Sequence, residues 1–189
     1  MLRRILVVFA TALVLAPAAF AKGGRYAFDG GTRAEQAQVS AALDVSAFDF
    51  SLVPGTVQIH IVRGVVPEAA PGQIWLDASL LDTGRFAWGV VQHEYAHQVD
   101  FALLDDVGRA RLQALLGGTA WCSGAPHDEL ACERFADLLA WAYWPSADNV
   151  MKPAGRRVTP GAFRRALAAI LPGRSLAAVV LTKRPPRKG

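Results

Sequence analysis

The stretch VVQHEYAHQVD, residues 90 to 100, carries two of the chain's four histidines, set four apart, with a glutamate directly after the first. On an α-helix, residues four apart share a face with Cβ atoms about 5 to 6 Å apart, so the imidazoles of His93 and His97 can converge on one ion. A zinc–nitrogen bond of about 2.0 to 2.1 Å suits that separation. Glu94 is turned off the ligand pair but stays near the ion, where its carboxylate can take a proton from water. This is the HExxH arrangement. The flanking Val90, Val91, Tyr95, Ala96, Gln98 and Val99 are uncharged, as a helix buried under a sheet requires. The competing reading is a core helix whose histidines hydrogen-bond internally.

The surrounding segments read as an α+β domain. Thr32 with Glu35 three residues on forms a capping box that opens a helix reaching about Leu43. TVQIHIV, residues 56 to 62, alternates Val57, Ile59 and Ile61 against Gln58, His60 and Val62, which is strand periodicity and makes His60 an ordinary sheet residue. After the turn-rich PEAAPG, the segment QIWLDAS at 73 to 79 is a second strand, and GQIWLDAS is the expected edge of the sheet. Asp82 or Thr83 can cap the HExxH helix, expected from about Gly84 to Leu104. Asp105 or Asp106 opens a short helix stopped at Gly117 and Gly118. A further helix from about Asp128 to Trp144 carries Leu130, Phe135, Leu138, Leu139 and Ala142 at helical spacing, and Thr159 and Pro160 open a last one ending at Pro172. The expected fold is a small mixed sheet with an edge strand above the HExxH helix, followed by more helices.

A catalytic zinc site takes a third protein ligand and keeps one position open. ELACERFADLLAWAYW, from residue 129, offers Glu129, Glu133 and Asp137, of which Glu133 and Asp137 are again four apart on one face. Glu133 can ligate while Asp137 accepts a hydrogen bond from a ligand histidine, fixing its tautomer and raising its basicity. Asp100 is a weaker candidate, because its place on the same helix points it past the ion.

HEYAH at 93 to 97 followed by ERFAD at 133 to 137 resembles the gluzincin metallopeptidases, in which HExxH is completed by an ExxxD or ExxxE motif on a following helix. The order of elements over roughly 50 to 172 is similar to the catalytic domain of anthrax lethal factor-like secreted peptidases. The resemblance implies a zincin-like fold, Zn2+ held by His93, His97 and Glu133, and Glu94 as general base. It implies hydrolysis of a peptide or protein substrate, and we expect a monomer. Glu129 is the alternative ligand. In the lethal-factor-like pattern a tyrosine stands seven residues before the ligand glutamate; here that position is Pro126. His127 beside it is the expected oxyanion donor, with Tyr95 and Tyr143 unassigned. That departure supports a competing expectation, a secreted zinc- or protein-binding module on the same scaffold.

The rest of the chain bounds where such a protein works. Arg3 and Arg4, the apolar run Ile5 to Leu15 and the Ala19-Phe20-Ala21 site read as an export signal over residues 1 to 21. The remainder is expected to be one domain over 22 to 181 with a loose basic tail at 182 to 189, which includes KRPPRKG. Losing two arginines leaves 18 basic against 16 acidic side chains, so the net charge falls from +4 to +2 and gives no reason to expect nucleic acid or a membrane as partner. In a secreted or periplasmic chain Cys122 and Cys132 are expected to form a disulfide.

Overall fold

Thr32 and Glu35 exchange the two hydrogen bonds of a capping box: Glu35 N–H donates to Thr32 Oγ1 (3.3 Å) and Thr32 N–H to Glu35 Oε2 (2.6 Å). A cap of this kind stabilises a helix start by about 1 kcal/mol. It fixes the entry of α1 (Arg33–Val45), which buries Val39, Ala42 and Leu43. The computed structural model describes residues 23–153 and 158–171; the expected export signal and basic tail lie outside them.

Ahead of α1 runs β1 (Tyr26–Gly30), and after it come β2 (Val57–Val62), β3 (Glu68–Ala70) and β4 (Gln73–Asp77). A single turn, α2 (Ala78–Leu81), leads into α3 (Arg85–Leu103), α4 (Asp106–Leu116), α5 (Ala131–Tyr143) and α6 (Pro160–Ile170). This is an α+β fold with one small mixed sheet.

The strands lie in the order β1-β2-β4-β3, with β1, β2 and β4 parallel and β3 antiparallel. Val57, Ile59 and Ile61 of β2 with Ile74 and Leu76 of β4 are buried on one face, where the helices pack. Gln58, His60 and Trp75 alternate onto the other face, where His60 stacks on Trp75 and its Nδ1 stands 2.8 Å from Asp29 Oδ2.

Four expectations need correction. GQIWLDAS is not an edge: β4 sits between β2 and β3, and the edge on that side is the three-residue β3, folded back through Pro71 and Gly72. The strand also stops at Asp77, because the Asp77 carboxylate accepts from Ser79 N–H (2.9 Å) and turns the chain into α2. Neither Asp82 nor Thr83 caps α3; Gly84 does so with φ +65°, a backbone region that favours glycine. Asp128 lies in a 3₁₀ turn (His127–Glu129), so α5 begins at Ala131.

Along α3, Ala87, Val91, Tyr95, Ala96 and Val99 are buried, with α1 on one side and α5 on the other. Tyr95 packs on Phe50, and Tyr143 on Phe48, so both tyrosines belong to the core. Gln92 donates to the Ala42 carbonyl at 2.6 Å, tying α3 to α1. The helix that carries the histidines is therefore fixed on three sides before any site is built.

Candidate metal centre

His93 and His97 project from α3 toward the first turn of α5, where Glu133 faces them. His93 Nε2 stands 3.2 Å from His97 Nε2 and 3.2 Å from Glu133 Oε2, and His97 Nε2 stands 3.5 Å from the same oxygen. Donor atoms of these three residues all lie within 4.8 Å of one another, a group that could hold a metal ion. Ligands held about 2.0 to 2.1 Å from a tetrahedral ion stand roughly 3.3 to 3.4 Å apart, which matches the observed triangle. Two imidazoles and a carboxylate also fit zinc chemically, and three protein ligands leave a fourth position open.

Asp137, one turn along α5 from Glu133, stands with Oδ1 2.9 Å from His93 Nδ1. In the neutral imidazole that a metal ion would require, that contact keeps the proton on Nδ1 and leaves the Nε2 lone pair facing the triangle. Burial alone would lower the His93 pKa, but hydrogen bonds with Asp137 and Glu133 outweigh it and push the pKa up to about 10. Burial would likewise raise Glu133, yet its bonds with His93 and His97 hold it well below the usual carboxylate range. The Glu94 carboxyl is buried beside the triangle, and that burial raises its pKa against the pull of both histidines. A raised carboxylate pKa is what a general base needs to take and return a proton near neutral pH.

The α5 side of the site is held by a cross-link. Cys122 and Cys132 form the disulfide, and Cys132 immediately precedes Glu133. Cys132 N–H donates to the Trp121 carbonyl and Ala131 N–H to that of Ala120, both at 2.9 Å. Trp121 Nε1–H in turn donates to Asp100 Oδ2 at 2.9 Å, linking this segment to α3.

Asp100 is fully buried and also accepts from Arg109 Nε at 2.8 Å, so it braces the helix and takes no part in the triangle. Glu129 is turned outward, where its Oε2 accepts from Thr119 Oγ1 at 3.2 Å. Arg134 donates to the Asp128 and Leu116 carbonyls. His127 lies at the rim, 78% exposed, with Nε2 3.0 Å from Glu133 Oε2.

Two residues beside the site escaped the sequence reading. Gln98 holds the β3–β4 turn: its Nε2 donates to the Ala70 and Gln73 carbonyls (2.8 and 2.9 Å), and its Oε1 accepts from Gly72 N–H (2.8 Å). Its spacing of four from Glu94 was the available signal, because it puts both on the face of α3 turned to β3. Phe101, four beyond His97, stacks on it with ring centroids 6.2 Å apart. No protein-family model, curated protein or solved structure matches the chain.

Proposed function

We propose that this protein is an exported zinc-dependent endopeptidase. The observation that carries the reading is the triangle of His93 Nε2, His97 Nε2 and Glu133 Oε2, with edges of 3.2 to 3.5 Å. When bound there, zinc would supply Lewis-acid polarisation of the peptide carbonyl and acidify a water molecule. His93, His97 and Glu133 hold the ion, and Asp137 keeps His93 in the ligating tautomer.

Glu94 is the general base. It takes a proton from the water whose oxygen bonds to the carbonyl carbon, then delivers that proton to the amine nitrogen as the C–N bond breaks. His127, at the rim with its Nε2 3.0 Å from Glu133 Oε2, is the residue we assign as donor to the oxygen that gains charge. The edge of β3 runs beside α3 and offers main-chain groups to an extended peptide without dictating its sequence.

Export is supported by the disulfide, which persists in oxidising compartments, and by the leader-like residues 1 to 21. No helix among the described residues is long and apolar enough to cross a membrane.

A non-catalytic zinc-binding or protein-binding module is the second reading. It is favoured by Pro126, which stands where the lethal-factor-like pattern has a tyrosine donor. Hydrolysis of a peptide library by zinc-loaded protein and by Glu94→Gln separates the two. The peptidase reading expects Glu94→Gln to keep its zinc and to lose about 100-fold or more in kcat, the scale of a general base. Equal hydrolysis by both proteins, or none by the fully loaded wild type, would sink it.

A further inference from the structure

Asp100 lies three residues after His97 on α3, and its side chain is fully buried. A buried carboxylate is costly unless its oxygens are taken up by partners. Here both are. Arg109, from α4, donates through Nε to Oδ1 at 2.8 Å and through Nη2 to the Asp100 carbonyl at 3.2 Å, which fixes the orientation of the carboxylate. Oδ2 is left for Trp121 Nε1–H, at 2.9 Å. A hydrogen bond to an ionised acceptor is roughly twice as strong as a neutral one.

Trp121 connects this buried charge to the start of α5. The first N–H groups of an α-helix have no partner within the helix, and a polar side chain at the N-cap ordinarily accepts from one of them. In α5 that position is Leu130, which supplies no side-chain cap. The first two N–H groups turn instead to the loop: Ala131 donates to the Ala120 carbonyl and Cys132 to the Trp121 carbonyl, both at 2.9 Å. Gly118 allows so close an approach, because a Cβ there would stand 2.8 Å from the Glu129 carbonyl oxygen and 3.0 Å from Ala131 N. The indole of Trp121 also packs on Phe135, with ring centroids 6.1 Å apart. Glu133 is the third residue of the helix so capped. The Cys122–Cys132 bridge ties the loop to α5, whereas the hydrogen bond from Trp121 to Asp100 ties the loop to the helix that carries the histidines.

We propose that Asp100 is a positioning residue of the metal centre: acting through Trp121 and the backbone cap that Trp121 forms on α5, it sets where Glu133 stands relative to His93 and His97. The proposal rests on the metal-binding part of the reading above and is independent of peptide hydrolysis.

Zinc dissociation constants of wild type, Trp121→Phe, Glu133→Ala and the double variant form a cycle that tests it. Trp121→Phe keeps an aromatic ring against Phe135 and removes the N–H. It should weaken zinc binding about tenfold, the low end of what an outer partner of a metal ligand contributes. In the Glu133→Ala background it should change the affinity by less than about twofold, the scatter of uncoupled sites. A general loosening of the domain would instead weaken binding by the same factor in both backgrounds. A second measurement leaves the indole in place. Coupling between two sites is reciprocal, so zinc should slow hydrogen exchange of the Trp121 indole N–H about tenfold in wild type and leave it at the metal-free rate in zinc-saturated Glu133→Ala.

Equal weakening in both backgrounds, no weakening at all, or wild-type indole exchange indifferent to zinc overturns the positioning role and leaves the metal centre standing. Wild type that binds no zinc, or Glu133→Ala that binds it as tightly as wild type, removes the centre and the proposal with it.

Discussion

The candidate metal triangle is assembled from two regions built in different ways. The α3 half is local: His93 and His97 are one helical turn apart, on a helix buried between α1, α5 and the sheet, so its geometry follows from backbone hydrogen bonds and core packing. The other half, residues 117 to 137, is held by connections. Thr119 N–H donates to Glu129 O, the Ala120 and Trp121 carbonyls receive Ala131 and Cys132, and the Cys122–Cys132 bridge closes the loop. A ligand pair on one rigid helix needs no outside help. A ligand brought in by a second segment depends on whatever fixes that segment, and here the fixing device is covalent.

Two variants bring out the contrast, both read as a zinc dissociation constant. Removing an outer partner of a metal ligand costs 10- to 100-fold in affinity, so losing the ligand itself in Glu133→Ala should cost more than about 100-fold. The double variant Cys122→Ser/Cys132→Ser should cost less, about tenfold in affinity, because Glu133 stays but its helix start is freed. Closing a loop of ten residues contributes roughly 2 to 3 kcal/mol in the chain-entropy picture, so the same variant should also unfold more easily. Zinc binding unchanged in the double variant would show that α5 is positioned by packing alone, and the contrast would collapse.

Protons give a smaller and more gradual effect. His93 titrates near 10 in the folded, metal-free site against an ordinary value of 6.5, so its stabilisation is complete below about 6.5 and lost as pH rises through 10. Glu133 is shifted downward from 4.5, so its contribution is present above that value and lost as pH falls through its lowered pKa. Zinc-stripped protein should therefore melt progressively lower between pH 7 and about 10, while zinc-loaded protein holds its Tm, since metal binding displaces the His93 proton. Calorimetric zinc titrations in buffers of different ionisation enthalpy should register that release at pH 8. A flat Tm for the stripped protein would mean that His93 is not gripped by Asp137 and Glu133 together.

The same division governs what could be read in the sequence. HEYAH, the Thr32–Glu35 box and the alternation of Val57, Ile59 and Ile61 are local signals, and the structure puts each in the element its pattern specifies. β1 is five residues long, and its place is set by pairing with β2 thirty-one positions away, Tyr26 against Val57. β3 is an alanine-containing triplet among prolines that becomes a strand only because Gly72 turns it back on β4, and its arrival moves the sheet edge away from β4. Gly84 replaces the expected side-chain caps because α2 occupies the residues just before it. At the site, ERFAD supplied Glu133 and Asp137 through their spacing, whereas the approach of His127 to Glu133 arises from the folded loop.

Zinc K-edge X-ray absorption on the loaded protein addresses the donor set most directly. Two imidazole rings and light oxygen donors at about 2.0 to 2.1 Å are expected, with one oxygen lost in Glu133→Ala. A third imidazole, marking His127 as a ligand, or scattering unchanged in Glu133→Ala would contradict a His93–His97–Glu133 centre with one open position.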